Sequence, residues 1–300
     1  MSLAEIPLSV WRTCGQDFAF RGQTLRYWAS GKGEPLLLIH GFPTASWDWH
    51  YLWRPLAQHY RVIACDMLGF GDSSKPLKHE YTLLEQADVQ QALLNHLNVT
   101  QPVHVLAHDY GDSVAQELLA RHCDGSFSMA SCVFLNGGLF PETHRRLLVQ
   151  SLLLSPVGWL MGRLFSRQSL VKSFNQIFGP NTRPSESEMD DFWSLIETHQ
   201  GPRVIHRLIH YIPERIVQRD RWVAAMRKGA VPMRVIDGAA DPISGAHMVE
   251  RYRQLIPEAD TVLLQDIGHY PQIEAPVLVL RHYMAFRSAL GAQSREITLS

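Results

Sequence analysis

Two hydrophobic periods alternate along the chain. Short apolar runs suited to strands buried on both faces occur at residues 35–39 (PLLLI), 61–65 (RVIAC), 103–106 (VHVL), 131–135 (SCVFL), 233–236 (MRVI) and 261–264 (TVLL). Between them, apolar residues recur at three- and four-residue steps. This predicts amphipathic helices over residues 47–56, 81–97, 248–255 and 277–290, and another after residue 109 through Val114, Leu118 and Leu119. Residues 17–26 alternate around Gly22, which predicts an opening hairpin continuing through Tyr27 and Trp28. Repeated strand, loop and helix imply a mostly parallel sheet with right-handed crossovers and helices on both faces. The rhythm stops between Gly137 and Lys228, where helical stretches are separated by Pro and Gly; Ser185-Glu186-Ser187-Glu188 is a capping-box start for a helix over 189–197. That interval is too long for a crossover. The predicted organisation is a core of residues 1–136 and 229–300 with a helical cap of residues 137–228.

Composition narrows the partners. With 300 residues and 46% hydrophobic content, the chain can bury a large core. Its net charge of −1, from 28 Lys+Arg against 29 Asp+Glu, offers no long-range field for nucleic acid, so a small neutral apolar substrate is the expected partner. Cys14, Cys65, Cys123 and Cys132 lack metal-ligand spacing, which predicts reduced thiols, no zinc site and no metal or organic cofactor. The first fifteen residues lack the basic-then-apolar order of a signal peptide, so a cytoplasmic location is expected. Residues 147–165 approach the length of a bilayer span, but Gln150, Ser155-Pro156, Gly158 and Arg163 interrupt them. Two helices split at Ser155-Pro156 are expected, with peripheral membrane contact as the lesser alternative. The last eight residues look loose.

The chemistry gathers at strand ends, where parallel α/β sheets bind ligands. The run from Val103 breaks at His108-Asp109-Tyr110-Gly111 and restarts as a helix, with small Ala107 and Gly111 two positions either side of Asp109, as a tight strand-to-helix elbow requires. Asp241 follows 132 residues later (241 minus 109) and His269 another 28 (269 minus 241), each after an apolar run. Alone, Asp109 reads as a helix N-cap, Asp241 as a turn residue beside Pro242, and His269 as one of 15 histidines. Together, in this order and with His40-Gly41-Phe42-Pro43 after an earlier strand, they read as nucleophile, acid and histidine.

HGFP at 40–43, DMLGFGDSS at 66–74, AHDYG at 107–111, GAADP at 238–242 and GHYPQIEAP at 268–276 resemble the aspartate-nucleophile α/β-hydrolases, which include epoxide hydrolases and haloalkane dehalogenases. A closer likeness to one hydrolase-fold relative, in HDYGDSVAQELLAR from 108, NGGLFPETHRRLLVQ from 136 and FGPNTRPSESE from 178, extends into the cap. The resemblance implies an eight-stranded, mostly parallel sheet with an inserted helical cap. It makes Asp109 the nucleophile, His269 the base that activates water and Asp241 its orienting acid, with the backbone N–H groups of Phe42 and Tyr110 as oxyanion donors. A carboxylate nucleophile suits displacement at saturated carbon, giving a covalent alkyl ester that water then cleaves.

Subfamily positions divide the leaving-group chemistry. Dehalogenases place Trp after the nucleophile and often Asn between Gly and Pro of the first loop; here Tyr110 and Phe42 stand there. Epoxide hydrolases use two cap tyrosines, and between residues 137 and 228 the chain has Tyr211 alone, with His206 and His210 nearby. An epoxide is the leading expectation, a haloalkane the first alternative, and a weakly active or non-catalytic binding protein the second. Trp193, with Trp47 and Trp49, is a candidate for the pocket wall or the core. Asp112, three residues after the nucleophile, is expected to raise the Asp109 pKa if the two are close.

Overall fold

The computed structural model describes residues 3–299, with side chains to residue 292. After α1 (Leu8–Cys14), the hairpin strands β1 (Gln16–Phe20) and β2 (Gln23–Ser30) form the antiparallel edge of one eight-stranded sheet. Arg21 and Gly22, at φ 48° and 78°, make the turn, a left-handed pair that matches the twist of a tight hairpin. Then follow β3 (Pro35–Ile39), α2 (Trp53–Ala57), β4 (Arg61–Cys65), α3 (Leu83–His96), β5 (Val103–His108), α4 (Tyr110–Cys123) and β6 (Met129–Leu135). After the insertion come β7 (Met233–Gly238), α11 (Ala246–Leu255), β8 (Thr261–Leu264), α12 (Pro271–Glu274) and α13 (Pro276–Leu299). The order across the sheet is β1-β2-β4-β3-β5-β6-β7-β8, antiparallel for the first two pairs and parallel from β4 to β8.

This order decides where the site can be. The chain leaves β3 for β4 on one side and returns to β5 on the other, so β3 and β5 are neighbours whose following loops diverge to opposite sides. A crevice opens at such a switch point, beyond the carboxyl ends of the strands. The His40–Pro43 loop and Asp109 border it. Every residue of β3 and β5 is buried, which is why these strands read as continuous apolar runs rather than alternating ones.

Between β6 and β7 lie α5 (Leu148–Leu153), α6 (Gly158–Leu164), α7 (Arg167–Ile177), α8 (Glu186–Glu197), α9 (Ile205–Leu208) and α10 (Tyr211–Lys228). The region of residues 147–165 is thus divided between α5 and α6, and no helix among the described residues is long and apolar enough to cross a membrane. Ser185 caps α8 through the expected capping box. The helix expected from residue 81 starts at Leu83, because the Thr82 side chain accepts the Glu85 N–H.

Two local expectations differ. Residues 47–56 are a 3₁₀ turn (Ser46–Trp49) followed by α2, not one helix. The Trp47 indole donates to the Ile6 carbonyl, and the His50 ring stacks on it while bonding the Trp47 carbonyl, which holds the turn tight. α1 has no sequence signature long enough to read, since only Leu8 and Trp11 of its seven residues are buried. The expectation for the last eight residues concerns positions whose side chains lie outside the described set.

A Cβ on Gly111 would come within 2.4 Å of the Ile39 carbonyl oxygen and 2.7 Å of that of His40. The crowding at the elbow is therefore against the end of β3, and both obstacles are backbone. Gly111→Ala is expected to cost about 1–3 kcal/mol of stability through overpacking. Gly291→Ala, at a helical position where a Cβ meets nothing within 4 Å, is expected to gain up to about 1 kcal/mol. Paired denaturant titrations check both signs.

Candidate active site

Asp109 is the hinge between β5 and α4, with φ 48° and ψ −104°. L-residues adopt such a backbone at a cost on the order of 1–3 kcal/mol, and sustained strain of this kind marks sites where a side chain must be aimed. The N-cap alternative fails here, because the Asp109 side chain makes no capping bond to α4. Its Oδ2 instead accepts the Phe42 N–H at 3.1 Å. The backbone is clamped on both sides: Asp109 N–H donates to the Leu135 carbonyl at 3.1 Å, and Arg215 Nη2 donates to the Asp109 carbonyl at 2.9 Å.

The three strand-end residues converge. His269 Nδ1 lies 2.7 Å from Asp241 Oδ2, and its Nε2 lies 4.0 Å from Asp109 Oδ2. Asp241 also accepts the N–H groups of Ile243 and Ser244, the Ser244 hydroxyl and the Asn136 side-chain amide. Burial opposes ionisation of Asp241, but the His269 charge and hydrogen bond, then these donors, hold its pKa below the ordinary carboxylate range. For His269 burial again opposes the charged form; the carboxylates of Asp241 and Asp109 outweigh it and push the imidazole well above its ordinary value.

Two further histidines hold the frame and stay neutral. His108 Nε2 must carry its proton, since it bonds the His269 carbonyl at 2.7 Å, and burial pushes its pKa down to about 3. His40 Nε2 accepts the Met67 N–H while its Nδ1 donates to the Gly41 carbonyl, and burial lowers it to about 4. The Tyr270 hydroxyl donates to the Phe42 carbonyl at 3.3 Å. The loop that presents the Phe42 N–H is thereby fixed from both ends. The Tyr110 N–H begins α4, where no preceding turn supplies an acceptor.

Arg215 is a residue of the candidate site that the sequence analysis missed. It projects from α10, is 1% exposed, donates from Nε to Ser113 Oγ at 2.6 Å and reaches Asp109 Oδ1 at 3.5 Å. Its guanidinium lies 4.5 Å over the Tyr211 ring, and its Nη1 has no hydrogen-bond partner. The one available signal was the four-residue step from Tyr211, which puts both on one helix face.

The expectation for Asp112 is overturned. Burial opposes the Asp109 charge, yet His269 and then Arg215 hold its pKa below the ordinary range. Asp112 has both carboxylate oxygens buried without partners, and burial first, then the charges of Asp237 and Asp109, push its pKa well up. Of two close acids, the one without donors takes the proton.

Asp109 and His269 form one wall of a small internal cavity of about 50 Å³, with Phe42 beside them. Leu147, Leu153, Phe165 and Phe174 from the insertion close it. Tyr211 is buried against the rings of Phe42 (5.6 Å) and Tyr110 (5.1 Å), and burial together with the Asp109 charge pushes its phenol pKa up. His210, one residue earlier, is exposed in a surface cleft beside His79 and Glu80 and does not reach the site, because adjacent helical residues point about 100° apart. His206 borders that same cleft. Trp193 is half-buried and packs behind the cavity wall, 6.0 Å from Phe165, whereas Trp47 and Trp49 belong to the core. Among the described residues no cluster of three or more His, Cys, Asp or Glu side chains has metal-binding geometry, and the four cysteines are free thiols.

Comparison with known proteins agrees with this architecture. The chain is 42% identical over 295 residues to the mesoderm-specific transcript protein of Mus musculus, covering 93% of this chain and 87% of that one. Among solved structures it shares its fold with a loop variant of the haloalkane dehalogenase DbeA from Bradyrhizobium elkanii (TM-score 0.78, 21% identity, 93% of this chain and 98% of that one). It also shares it with the epoxide hydrolase CorEH (TM-score 0.73, 20% identity, 92% and 99%). The model of one family, described as alpha/beta hydrolase fold, matches residues 34–276. The chain belongs to the α/β-hydrolase fold family.

Proposed function

We propose that the protein is a hydrolase that works through an alkyl ester on Asp109, with an epoxide as its substrate class. The observation that carries this reading is a strained, buried carboxylate whose Oδ2 is tied to the Phe42 N–H and backed by the His269–Asp241 pair. An aspartate has no proton to give up before attack, so the histidine is free for the second step.

In the first step Asp109 Oδ1 attacks an epoxide carbon, the C–O bond breaks, and the departing alkoxide takes the phenolic proton of Tyr211. In the second, His269 takes a proton from water as its oxygen adds to the Asp109 carboxyl carbon. The oxyanion on Oδ2 receives the N–H groups of Phe42 and Tyr110. Collapse expels the diol oxygen, which takes the second water proton from the re-formed Asp109 carboxyl, and the proton on His269 returns to the Tyr211 phenolate, so the sum is epoxide plus water to diol. Esterification also removes the Asp109 charge, one of the influences holding a proton on His269. The first step thus prepares the base for the second. Epoxide is favoured over haloalkane because Phe42 and Tyr110 supply no side-chain N–H to a halide, while Tyr211 is a buried phenol within the field of Asp109.

His269→Gln should form the ester and fail to cleave it. Incubated with pooled epoxides, haloalkanes and carboxylic esters, this variant is expected to gain the whole mass of an epoxide on a peptide containing Asp109. A gain equal to an alkyl group without its halogen would replace the epoxide by a haloalkane. No adduct from any pool, with no turnover by wild type, would sink the catalytic reading and leave a binding protein.

Ester cleavage needs neutral His269, so its rate should rise with pH through a midpoint held up by the Asp241 charge. Asp241 raises that pKa; Asp241→Asn is therefore expected to move the midpoint toward acid while lowering the maximum. Arg215→Met should slow alkylation about a hundredfold by loosening the nucleophile. Because Arg215 helps to keep Asp109 ionised, the acid limb of alkylation should also shift to higher pH. A slower rate with an unmoved acid limb would reduce Arg215 to a packing residue.

A further inference from the structure

Helix α6 has its polarity reversed for a surface helix. Its inward positions include Gly158 and Gly162, where an added Cβ would stand 2.0 Å from the Leu153 carbonyl oxygen and 2.7 Å from that of Pro202. Outward it shows Trp159 (50% exposed), Leu160 and Leu164 (63%), joined by Val157 just before it and by Leu148 (77%) on α5. Surface helices ordinarily turn such side chains to the core, and apolar groups gathered outward mark a contact surface.

Charge identifies the contact. From residue 143 to residue 185 the chain contains no Asp or Glu, but it contains Arg145, Arg146, Arg163, Arg167, Lys172 and Arg183, in a protein of net charge −1. Arg167 is paired with Glu186 and Asp190. Among the described residues no carboxylate pairs with Arg145, Arg146 or Arg163, all three exposed, and the Arg163 guanidinium sits 5.3 Å over the Trp159 ring. A second copy would set Arg163, on this face, against its own counterpart with no carboxylate of residues 143–185 to offset it, whereas a surface of anionic headgroups over hydrocarbon satisfies Arg163, the arginines just before α5 and the apolar groups. Tryptophan and arginine suit that boundary, each with an apolar body and a polar tip.

The same segment faces the site from its other side. Leu147, Val149 and Leu153 on and beside α5, and Phe165 after α6, line the cavity at Asp109. We propose that the outer face of α5 and α6 docks on an anionic lipid surface, setting the cover of the Asp109 cavity against the lipid. This docking holds whatever leaving group Asp109 displaces.

Flotation of the full chain with phosphatidylcholine vesicles, alone or with about 30 mol% phosphatidylglycerol, tests it, with light scattering to report the oligomeric state. Wild type is expected to float with the anionic vesicles far more than with the neutral ones, and less as salt rises from about 0.1 to about 0.5 M. Trp159→Ser with Leu164→Ser, and separately Arg145→Glu with Arg146→Glu, should each weaken binding at least about tenfold. All substituted positions are exposed, so unchanged melting certifies the fold of each variant. The proposal is overturned if wild type binds neither vesicle, if both variants float as wild type does, or if the protein is a dimer that the serine variant splits, which would make this face a self-association surface.

Discussion

Asp109 must keep a negative charge where water does not reach it, and most of the polar architecture at the strand ends answers that requirement. An ionised carboxylate taken out of water is tolerated only with close donors or cations. Here the donors and charges come from three separate parts of the chain: the Phe42 N–H from the loop after β3, the Arg215 guanidinium from α10 and the His269 imidazole, at ion-pair distance, from the loop after β8. Each of these groups is held in turn. His40 and Tyr270 fix the Phe42 loop, and Ser113 and the Tyr211 ring fix Arg215. Glu274 accepts the N–H groups of Gly268 and Tyr270 on either side of His269. The positive φ at Asp109 is the local cost of aiming one side chain into the point where these three supports meet.

The same requirement sorts the four neighbouring aspartates into two classes. Asp109 and Asp241 have a cation or several donors at their oxygens, and their pKa values lie below the ordinary range. Asp112 has no partner, and Asp237 has one oxygen bonded to the Asn136 N–H and the other bare; burial pushes both well up. Protonated, Asp112 and Asp237 add no charge to oppose that of Asp109. Groups of one chemical kind thus reach opposite states because His269, Arg215 and several donors face two of them, whereas burial outweighs what faces the other two.

Periodicity shows β3 and β4 to the residue, because strands buried on both faces have no polar positions to blur their ends; the half-buried edge strand β8 was bounded by its short apolar run alone. The convergence of Asp109, Asp241 and His269 was legible for a related reason: a parallel sheet brings strand ends together however far apart they lie in sequence. Arg215 was not legible. It is one of four arginines on α10, with Arg219, Arg221 and Arg227, and only tertiary packing decides which turns inward. His210 failed by the same measure, since being next to Tyr211 in sequence puts it on another face of the helix. The error on Asp112 was one of sign. Proximity of two acids predicts that one pKa rises, but which one depends on donors that no linear pattern reveals.

Arg215 also constrains how a substrate can enter. The cavity is small, about 50 Å³, and the insertion supplies most of its lining, so a wider entrance would come from the insertion. α10 is a poor candidate, because shifting it would remove Arg215 from Asp109 and take a counter-charge away from that buried carboxylate. The end of α7 is tied as well, through the Ile177 carbonyl to the His269 N–H and through Glu274 to Gly179 and Thr182. α5 and α6 carry no such bond to Asp109, Asp241 or His269, and the inward glycines of α6 lie close against the Leu153 and Pro202 carbonyls. Opening at α5 and α6 would leave the charge balance of the site intact, whereas opening elsewhere in the insertion would dismantle it. Where the charges are held therefore separates the helices whose displacement would disturb the site, α7 and α10, from those whose displacement would not, α5 and α6.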